Sequence, residues 1–178
     1  MAAAAAEFVA HGVAGARVDR IAAAADANKR LIYDYFGDKN GLFDAVLDRF
    51  TEDAVGAVPI DVDDLPAYAC RLFDYHSDNP DLLRLVTWAR LEGRTTPSAQ
   101  EQRRASYRRR AAAIEQARRN GAITTVFTGS QLLDLIESLA VGWTAAARGV
   151  LATPRQLKAE RSAQRDAIRE AVRRIVAP

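Results

Sequence analysis

The stretch that decides the fold is "RVDRIAAAADANKRLIYDYFGDKNGL", residues 17–42. It contains two short helical patterns separated by a break at residues 25–27, and Asn28, Lys29 and Arg30 open the second pattern. Asparagine is a favoured N-cap, because its side-chain oxygen accepts hydrogen bonds from the free amides of a first helical turn. The stretch therefore predicts two short helices joined by a tight turn, with polar side chains at the start of the second helix.

The apolar and small residues of this stretch have the spacing of a helix–turn–helix. Counted from Val18, Ile21 and Ala22 are the fourth and fifth residues and Ile32 is the fifteenth. A small side chain at Ala22 lets the second helix approach closely, and the two isoleucines fill the space between the helices. Asp26 is the ninth residue, where the backbone is usually left-handed; glycine is preferred there, but aspartate is one of the few side chains that tolerate this conformation. The pattern predicts Asp26 as the turn residue.

The outer face of the second helix is suited to double-stranded DNA. In a helix–turn–helix, the N-terminal residues of the second helix contact base edges in the major groove, and here these are residues 28–31. Tyr33 lies on the outer side, and Lys39 lies near the start of the next helix, where its charge and the positive helix end favour a phosphate. The alternative is a hairpin of surface helices with solvated polar residues. The combined spacing, including "YDYF" and the lysine three residues later, favours DNA.

The segment "GVAGARVDRIAAAADANKRLIYDYFGDKNGLF" resembles the DNA-binding signature of the TetR family of transcriptional regulators. The resemblance is specific over roughly residues 1–50 and rests on the pair Ile21–Ala22, on Tyr33 with Phe36, and on Lys39. It implies that Tyr33 and Lys39 hold phosphates while residues 28–31 approach bases. The DNA-binding residues expected on this basis are Arg17, Asn28, Lys29, Arg30, Leu31, Tyr33, Asp34 and Lys39.

The sequence departs from the family pattern in three places. Arg17 replaces the usual hydroxyl residue before the second helix of the domain, so it cannot cap that helix as serine or threonine would. Asp26 replaces the usual turn glycine and adds a negative charge near DNA. The basic residues that commonly precede the first helix are missing from the sequence. Residues 1–50 accordingly hold six Lys/Arg against seven Asp/Glu, which is a weak electrostatic footprint for a nucleic-acid binder.

Helical periodicity continues through the rest of the chain, and strand signals are almost absent. The one β-rich run, residues 123–127, is too short and isolated to build a sheet. We expect an all-α protein of about nine helices: a three-helix DNA-binding domain at residues 1–50 and a larger helical domain at residues 51–178. Predicted helix breaks lie at residues 77–80 and at residues 120–121.

Composition excludes several classes of function. Cys70 is the only cysteine and there are two histidines, His11 and His76, so neither an internal disulfide nor a metal site is expected. The sequence has no nucleophile–base pairing and no glycine-rich phosphate loop, so we expect neither an enzyme nor a cofactor. No run of about 18 apolar residues is present. We therefore expect a soluble cytoplasmic protein without membrane contact.

The family resemblance implies that residues 51–178 bind a small-molecule effector and form a homodimer. The last two long helices, about residues 130–150 and 154–176, carry continuous apolar stripes with small residues, which suit a four-helix dimer interface; an intramolecular core face is the alternative. An aromatic cavity with few polar groups suits a hydrophobic effector, although aromatic residues at helical spacing also occur in plain cores. The predicted effector-binding residues are Tyr68, Leu72, His76, Trp88, Tyr107 and Trp143.

The most basic part of the chain lies elsewhere, since residues 101–120 hold seven arginines and two glutamates. These arginines fall on several helix faces, so we interpret the segment as a solvated helix, or as a site for an acidic patch or an anionic effector, rather than a DNA site. The predicted function is a homodimeric repressor that binds a palindromic operator and is released by a small hydrophobic effector. The alternative is a ligand-binding protein of the same fold with weak or lost DNA recognition.

Overall fold

A computed structural model of the chain describes residues 1–93, 97–144 and 154–178, and within these ranges it contains nine helices and no strand. The all-α prediction is confirmed. The helices are α1 (Ala2–Gly15), α2 (Val18–Ala24), α3 (Lys29–Phe36), α4 (Lys39–Ala57), α5 (Leu65–Asp78), α6 (Pro80–Glu92), α7 (Pro97–Arg119), α8 (Gly129–Gly142) and α9 (Pro154–Val176). In the same ranges, every helix is too short or too polar to cross a lipid bilayer.

Local capping interactions determine where several helices begin and end. The Asp64 carboxylate accepts a hydrogen bond from the amide of Ala67 at 2.9 Å and caps α5. Thr128 and Gln131 form a reciprocal capping box at the start of α8. Gly121, at a φ of 73°, ends α7, because the left-handed conformation is readily adopted by glycine. The predicted breaks at residues 77–80 and 120–121 are confirmed.

The described chain divides into two compact units. The first consists of residues Met1–Ala54 and Asp81–Arg103, and the second of residues Val55–Pro80 and Arg104–Pro178. Helix α6 therefore packs with the N-terminal helices, although the sequence division assigned it to the C-terminal domain. The division at residue 50 into two functional domains stays a prediction.

The first unit has an apolar core beneath α2 and α3. Phe8 of α1 and Phe43 of α4 lie at its centre, with their rings edge to face and the centroids 5.2 Å apart, a favourable arrangement for aromatic pairs. Ile21, Ala22 and Ile32 are buried against this core, as the helix–turn–helix spacing predicts. The segment at residues 18–36 thus buries its apolar face and exposes its polar face to solvent.

Helix α1 has a kink. It continues to Gly15 across non-helical backbone at Gly12, with φ 65° and ψ −177°. The Glu92 carboxylate accepts hydrogen bonds from the amides of Val13 at 2.9 Å and Ala14 at 3.2 Å, so it caps the helical turn that restarts after the kink. A Cβ at residue 12 would lie 2.8 Å from the ring of Trp88.

The second unit is built around α5, which packs against α8 and α9. Its central side chains are fully buried and mostly apolar: Tyr68, Leu65, Phe73, Ile114, Leu132, Leu133, Ile136 and Ile168. Arg161 of α9 donates hydrogen bonds to the carboxylates of Asp74 and Asp78, and Arg165 donates to Asp74 at 2.9 Å, which fixes α9 along α5. The apolar stripe expected at residues 145–150 lies outside the described residues.

We predict that Gly12→Ala destabilises the first unit. The backbone at residue 12 is in a region that only glycine adopts readily, which costs other residues about 1–3 kcal/mol, and the new methyl group would collide with Trp88. Urea denaturation followed by circular dichroism measures this loss. Gly56→Ala is the matched control: it lies within α4, with no atom within 4 Å of its added Cβ, and should leave stability unchanged or raise it by up to about 1 kcal/mol. Equal effects of the two substitutions would contradict the account of the kink.

Candidate nucleic-acid interface

The turn between α2 and α3 has the backbone conformation that the sequence predicts. Asp26 has a φ of 48° and is the only residue other than glycine with positive φ in the described part of the chain. The amide of Ala27 donates to the carbonyl of Ala22 at 3.0 Å, and the amide of Asp26 donates to Ala23 at 3.3 Å. This pair of bonds defines a Schellman motif. Aspartate therefore performs the turn role that glycine usually has in this motif.

Helix α3 begins with the predicted asparagine cap. The Asn28 Oδ1 accepts a hydrogen bond from the backbone amide of Arg30 at 2.8 Å. Ile32 is buried and Phe36 is half-buried, so these two residues, one turn apart, form the inner face of α3. At about 100° per residue, residues 30 and 34 lie opposite Ile32. The outer face of α3 thus consists of Arg30 and Asp34, flanked by Leu31 and Tyr33.

Lys29 is held by a neighbouring helix. Its Nζ lies 2.6 Å from the Asp19 carboxylate of α2 and 5.9 Å from the centroid of the Tyr33 ring. The hydrogen bond to Asp19 raises the pKa of Lys29 above its ordinary value, so the ammonium stays charged at neutral pH. Arg30, in contrast, has a longer contact of 3.8 Å with Asp34, one turn along the same helix.

Lys39 connects α4 to the end of α1. Its Nζ donates hydrogen bonds to the carbonyl oxygens of Ala14 at 3.1 Å and Ala16 at 3.0 Å. An ammonium group has three donors, so one hydrogen and the positive charge remain for a phosphate. The family resemblance implies only a phosphate contact for Lys39. In the structure this side chain also connects α4 to the end of α1.

Glu7 supplies the cap that Arg17 lacks. The Arg17 side chain makes no capping bond at the start of α2, but the Glu7 carboxylate accepts a hydrogen bond from the Arg17 amide at 2.9 Å. Glu7 also accepts from Arg20 Nε at 2.8 Å, and this bond is the main reason that the pKa of Glu7 is lowered. A carboxylate at a helix N-terminus is further favoured by the helix dipole. Sequence reasoning missed Glu7, which lies one helix away from the amide that it caps.

Tyr35 is an exposed residue of α3 that the sequence prediction of the site did not include. Its side chain is the most exposed of the large apolar residues in the described chain, at 81%, and it lies on α3 between the outer face and the inner residue Phe36. A phenol can donate to a phosphate and also present an apolar ring. The available signal was its position in "YDYF", two residues after Tyr33.

The predicted effector-binding residues lie in both units. Tyr68, Leu72 and His76 are buried along one stripe of α5 in the second unit. Tyr107 of α7 donates its hydroxyl hydrogen bond to Asp134 of α8 at 2.9 Å. Trp143 is partly exposed at the end of α8. Trp88 belongs to the first unit, where its ring packs against Gly12.

An open cavity of about 300 Å³ lies elsewhere in the second unit. Val62, Leu65 and Pro66 line it on the side of α5, and Ile123, Arg173 and Val176 line the opposite side. None of the six predicted effector-binding residues contributes to this cavity. The structure therefore does not identify an effector site from cavity shape, and that set of residues stays a prediction.

Two family profiles match the chain. The family described as "Bacterial regulatory proteins, tetR family" matches residues 1–46, the segment that contains α1, α2 and α3. The family described as "Tetracyclin repressor-like, C-terminal domain" matches residues 64–174. The two matches cover separate segments of the chain, and residues 47–63 lie between them.

A related repressor and two solved structures agree with these matches. The chain is 45% identical over 139 residues to the HTH-type transcriptional repressor SCO4008 of Streptomyces coelicolor, covering 78% of this chain and 72% of that protein. A proposed transcriptional regulator, SCO4942 of the same species, is 35% identical, with a TM-score of 0.78 over 98% of this chain and 94% of the other. A regulatory protein from Rhodococcus RHA1 has a TM-score of 0.72 at 19% identity, over 99% and 95% of the two chains, which shows a shared fold.

We predict that Lys39→Met destabilises the first unit while keeping the length of the side chain. The substitution removes both hydrogen bonds to the end of α1, of which the bond to Ala16 is part-buried; a hydrogen bond to a charged group contributes about 1.5–3 kcal/mol. Urea denaturation at neutral pH measures the change. Lys29→Met is the matched control, because it removes an exposed ion pair; exposed pairs contribute little to stability, so this variant should lose less stability than Lys39→Met. A Lys39→Met protein as stable as the wild type would contradict the structural role of Lys39.

Proposed function

The chain belongs to the TetR family of transcriptional regulators, and from this premise we propose that it is a homodimeric repressor released from a palindromic operator by a small hydrophobic effector. A transcriptional regulator of this family is not an enzyme. The observation that carries the DNA-binding part is the outer face of α3. It is polar, exposed and held in place by the capped turn at Asp26 and Asn28.

Contacts to the DNA backbone are assigned to residues around this face. Arg17 is exposed at the start of α2, Tyr33 and Tyr35 are exposed on α3, and Lys39 keeps one free donor. Such residues position a protein on the duplex without reading its sequence. Base reading is assigned to side chains within residues 28–31, at the start of α3.

Dimerisation is assigned to α8 and α9. Leu135 of α8 and Trp143, the residue that follows α8, are large apolar side chains that remain more than a third exposed in the single chain. A second copy of the chain would cover them, and packing of two helices from each copy forms a four-helix interface. Dimerisation also suits the reading of DNA, since two recognition helices spaced by one helical turn match the two halves of a palindrome.

The effector is assigned to the stripe Tyr68, Leu72 and His76 in the second unit. Burial raises the pKa of the Tyr68 hydroxyl and lowers the pKa of His76, so both side chains are uncharged at neutral pH. Uncharged polar groups among apolar side chains suit a small, largely apolar molecule with a hydrogen-bonding group. Effector binding would shift the population toward a spacing of the recognition helices that no longer fits successive grooves.

A second candidate function is ligand binding by the same fold with weak DNA recognition. Asp19, Asp26 and Asp34 lie in or beside the helix–turn–helix, and residues 1–50 carry a net charge of −1. These carboxylates oppose the approach of phosphates. Two of them are paired in the structure, Asp19 with Lys29 and Asp34 with Arg30, which lowers their repulsion and favours the first function.

We predict that repeated selection from a random DNA library enriches a palindromic duplex. The affinity of the full chain for that duplex should fall at least about tenfold between about 50 and 200 mM salt, because phosphate contacts release bound cations. Fluorescence anisotropy with the labelled duplex measures both the affinity and its salt dependence. Tyr33→Ala should weaken binding to the enriched and to scrambled duplexes alike. Failure to enrich any duplex at low salt would overturn the repressor proposal and favour the second candidate.

A further inference from the structure

The four residues from Asn28, the N-cap of α3, to Leu31 differ in whether their side chains already have a partner within the protein. We propose that Arg30 and Leu31 read the operator, Arg30 through a guanine and Leu31 through the C5-methyl group of a thymine in a neighbouring base pair, whereas Asn28 and Lys29 hold the recognition helix. This inference rests on the proposed function and specifies the bases that the DNA site contains.

The Asn28 side chain is hydrogen-bonded to the backbone of its own helix. Its Oδ1 accepts the hydrogen bond from the Arg30 amide at 2.8 Å. To read a base edge with this oxygen, the side chain would have to leave the cap and expose an unpaired amide at the first turn. Asn28 therefore positions Arg30 rather than reading DNA.

Lys29 forms an ion pair with a residue of α2. Its ammonium lies 2.6 Å from Asp19 and 5.9 Å from the centroid of the Tyr33 ring, and its side chain is 45% exposed, compared with 86% for Arg30. These contacts draw the charge toward α2 and away from the centre of the outer face. Lys29 thus joins the two helices of the motif, and its loss should weaken binding to all sequences to a similar extent.

Arg30 has the freedom that a base-reading residue needs. Its side chain is 86% exposed, and it lies opposite the buried Ile32 at the centre of the outer face. Asp34 lies one turn further on the same face, 3.8 Å from the guanidinium. A guanidinium there forms its best bidentate contact with O6 and N7 of guanine.

Leu31 is an apolar side chain on a face that is otherwise polar. It is 52% exposed on α3 and has no donor or acceptor, so it gains free energy at a DNA surface only by covering apolar area. The thymine methyl is the apolar group that base pairs present in the major groove. Because residues 30 and 31 are adjacent, the guanine and the thymine should occupy neighbouring base pairs of each half-site.

Base analogues test this assignment on the duplex enriched by selection. Replacing one thymine at a time by deoxyuridine removes only the C5-methyl group. One thymine in each half-site should be sensitive to this replacement. When that thymine is replaced, the wild-type chain should lose about threefold to tenfold in affinity, which is the effect of losing one buried methyl or methylene contact. Replacing the neighbouring guanine by 7-deazaguanine removes N7 and should also weaken binding.

Protein variants then connect each base to its side chain. Leu31→Ala should bind the thymine and deoxyuridine duplexes equally, while it retains its loss at 7-deazaguanine. Arg30→Ala should bind the guanine and 7-deazaguanine duplexes equally, while it retains its loss at deoxyuridine. Leu91→Ala is the matched control, because Leu91 is an exposed leucine of α6, and it should discriminate between the duplexes as the wild type does. Circular dichroism checks that each variant is folded.

The outcomes separate this inference from the proposed function. If a duplex is enriched but no deoxyuridine substitution weakens wild-type binding, the assignment of Leu31 is overturned while the regulator function stands. If Leu31→Ala still discriminates against deoxyuridine, another side chain reads the methyl group and the assignment is again overturned. If no duplex is enriched, the proposed function fails and the inference fails with it. The wild-type measurement uses no variant, so a misfolded mutant cannot leave the question open.

Discussion

The hydrogen bonds of the Lys39 ammonium connect the start of α4 to the end of α1, and so hold both ends of the segment that contains α2 and α3. Residues 17–38 leave the end of α1, form α2 and α3, and return to the start of α4. Lys39 donates to the carbonyl oxygens of Ala14 and Ala16, and so links the two ends of this segment. The core around Phe8 and Phe43 supports the segment from below. With both ends fixed and one face buried, α3 has one remaining face to present.

The kink of α1 lies next to this junction. Glu92 of α6 accepts hydrogen bonds from the amides of Val13 and Ala14, and the carbonyl of Ala14 accepts from Lys39. A continuous set of hydrogen bonds therefore runs from the end of α6 through the last turn of α1 to the start of α4. Gly12 makes this possible, since its backbone conformation and its contact with Trp88 exclude a side chain. Helix α6 is thus part of the frame that holds the recognition helix.

Features set by local chemistry could be predicted from the sequence, and features set by distant contacts could not. The positive φ of Asp26 and the Asn28 cap follow from residue type and spacing within a few positions. The cap that Glu7 gives to α2 and the cap that Glu92 gives to α1 join residues 10 and 79 positions apart, so no local pattern reveals them. For the effector, helical spacing groups Tyr68 with His76 but does not distinguish a ligand site from a core, and their role stays a prediction.

The central claim is that α3 enters the major groove and that a dimer places two copies of it one helical turn apart. Methylation interference on the selected duplex tests this most directly, because dimethyl sulfate modifies guanine N7 in the major groove and adenine N3 in the minor groove. The account predicts that methylated guanines block binding in two clusters whose centres are about 10 base pairs apart. Interference at adenine N3 alone, or in a single cluster, would contradict it.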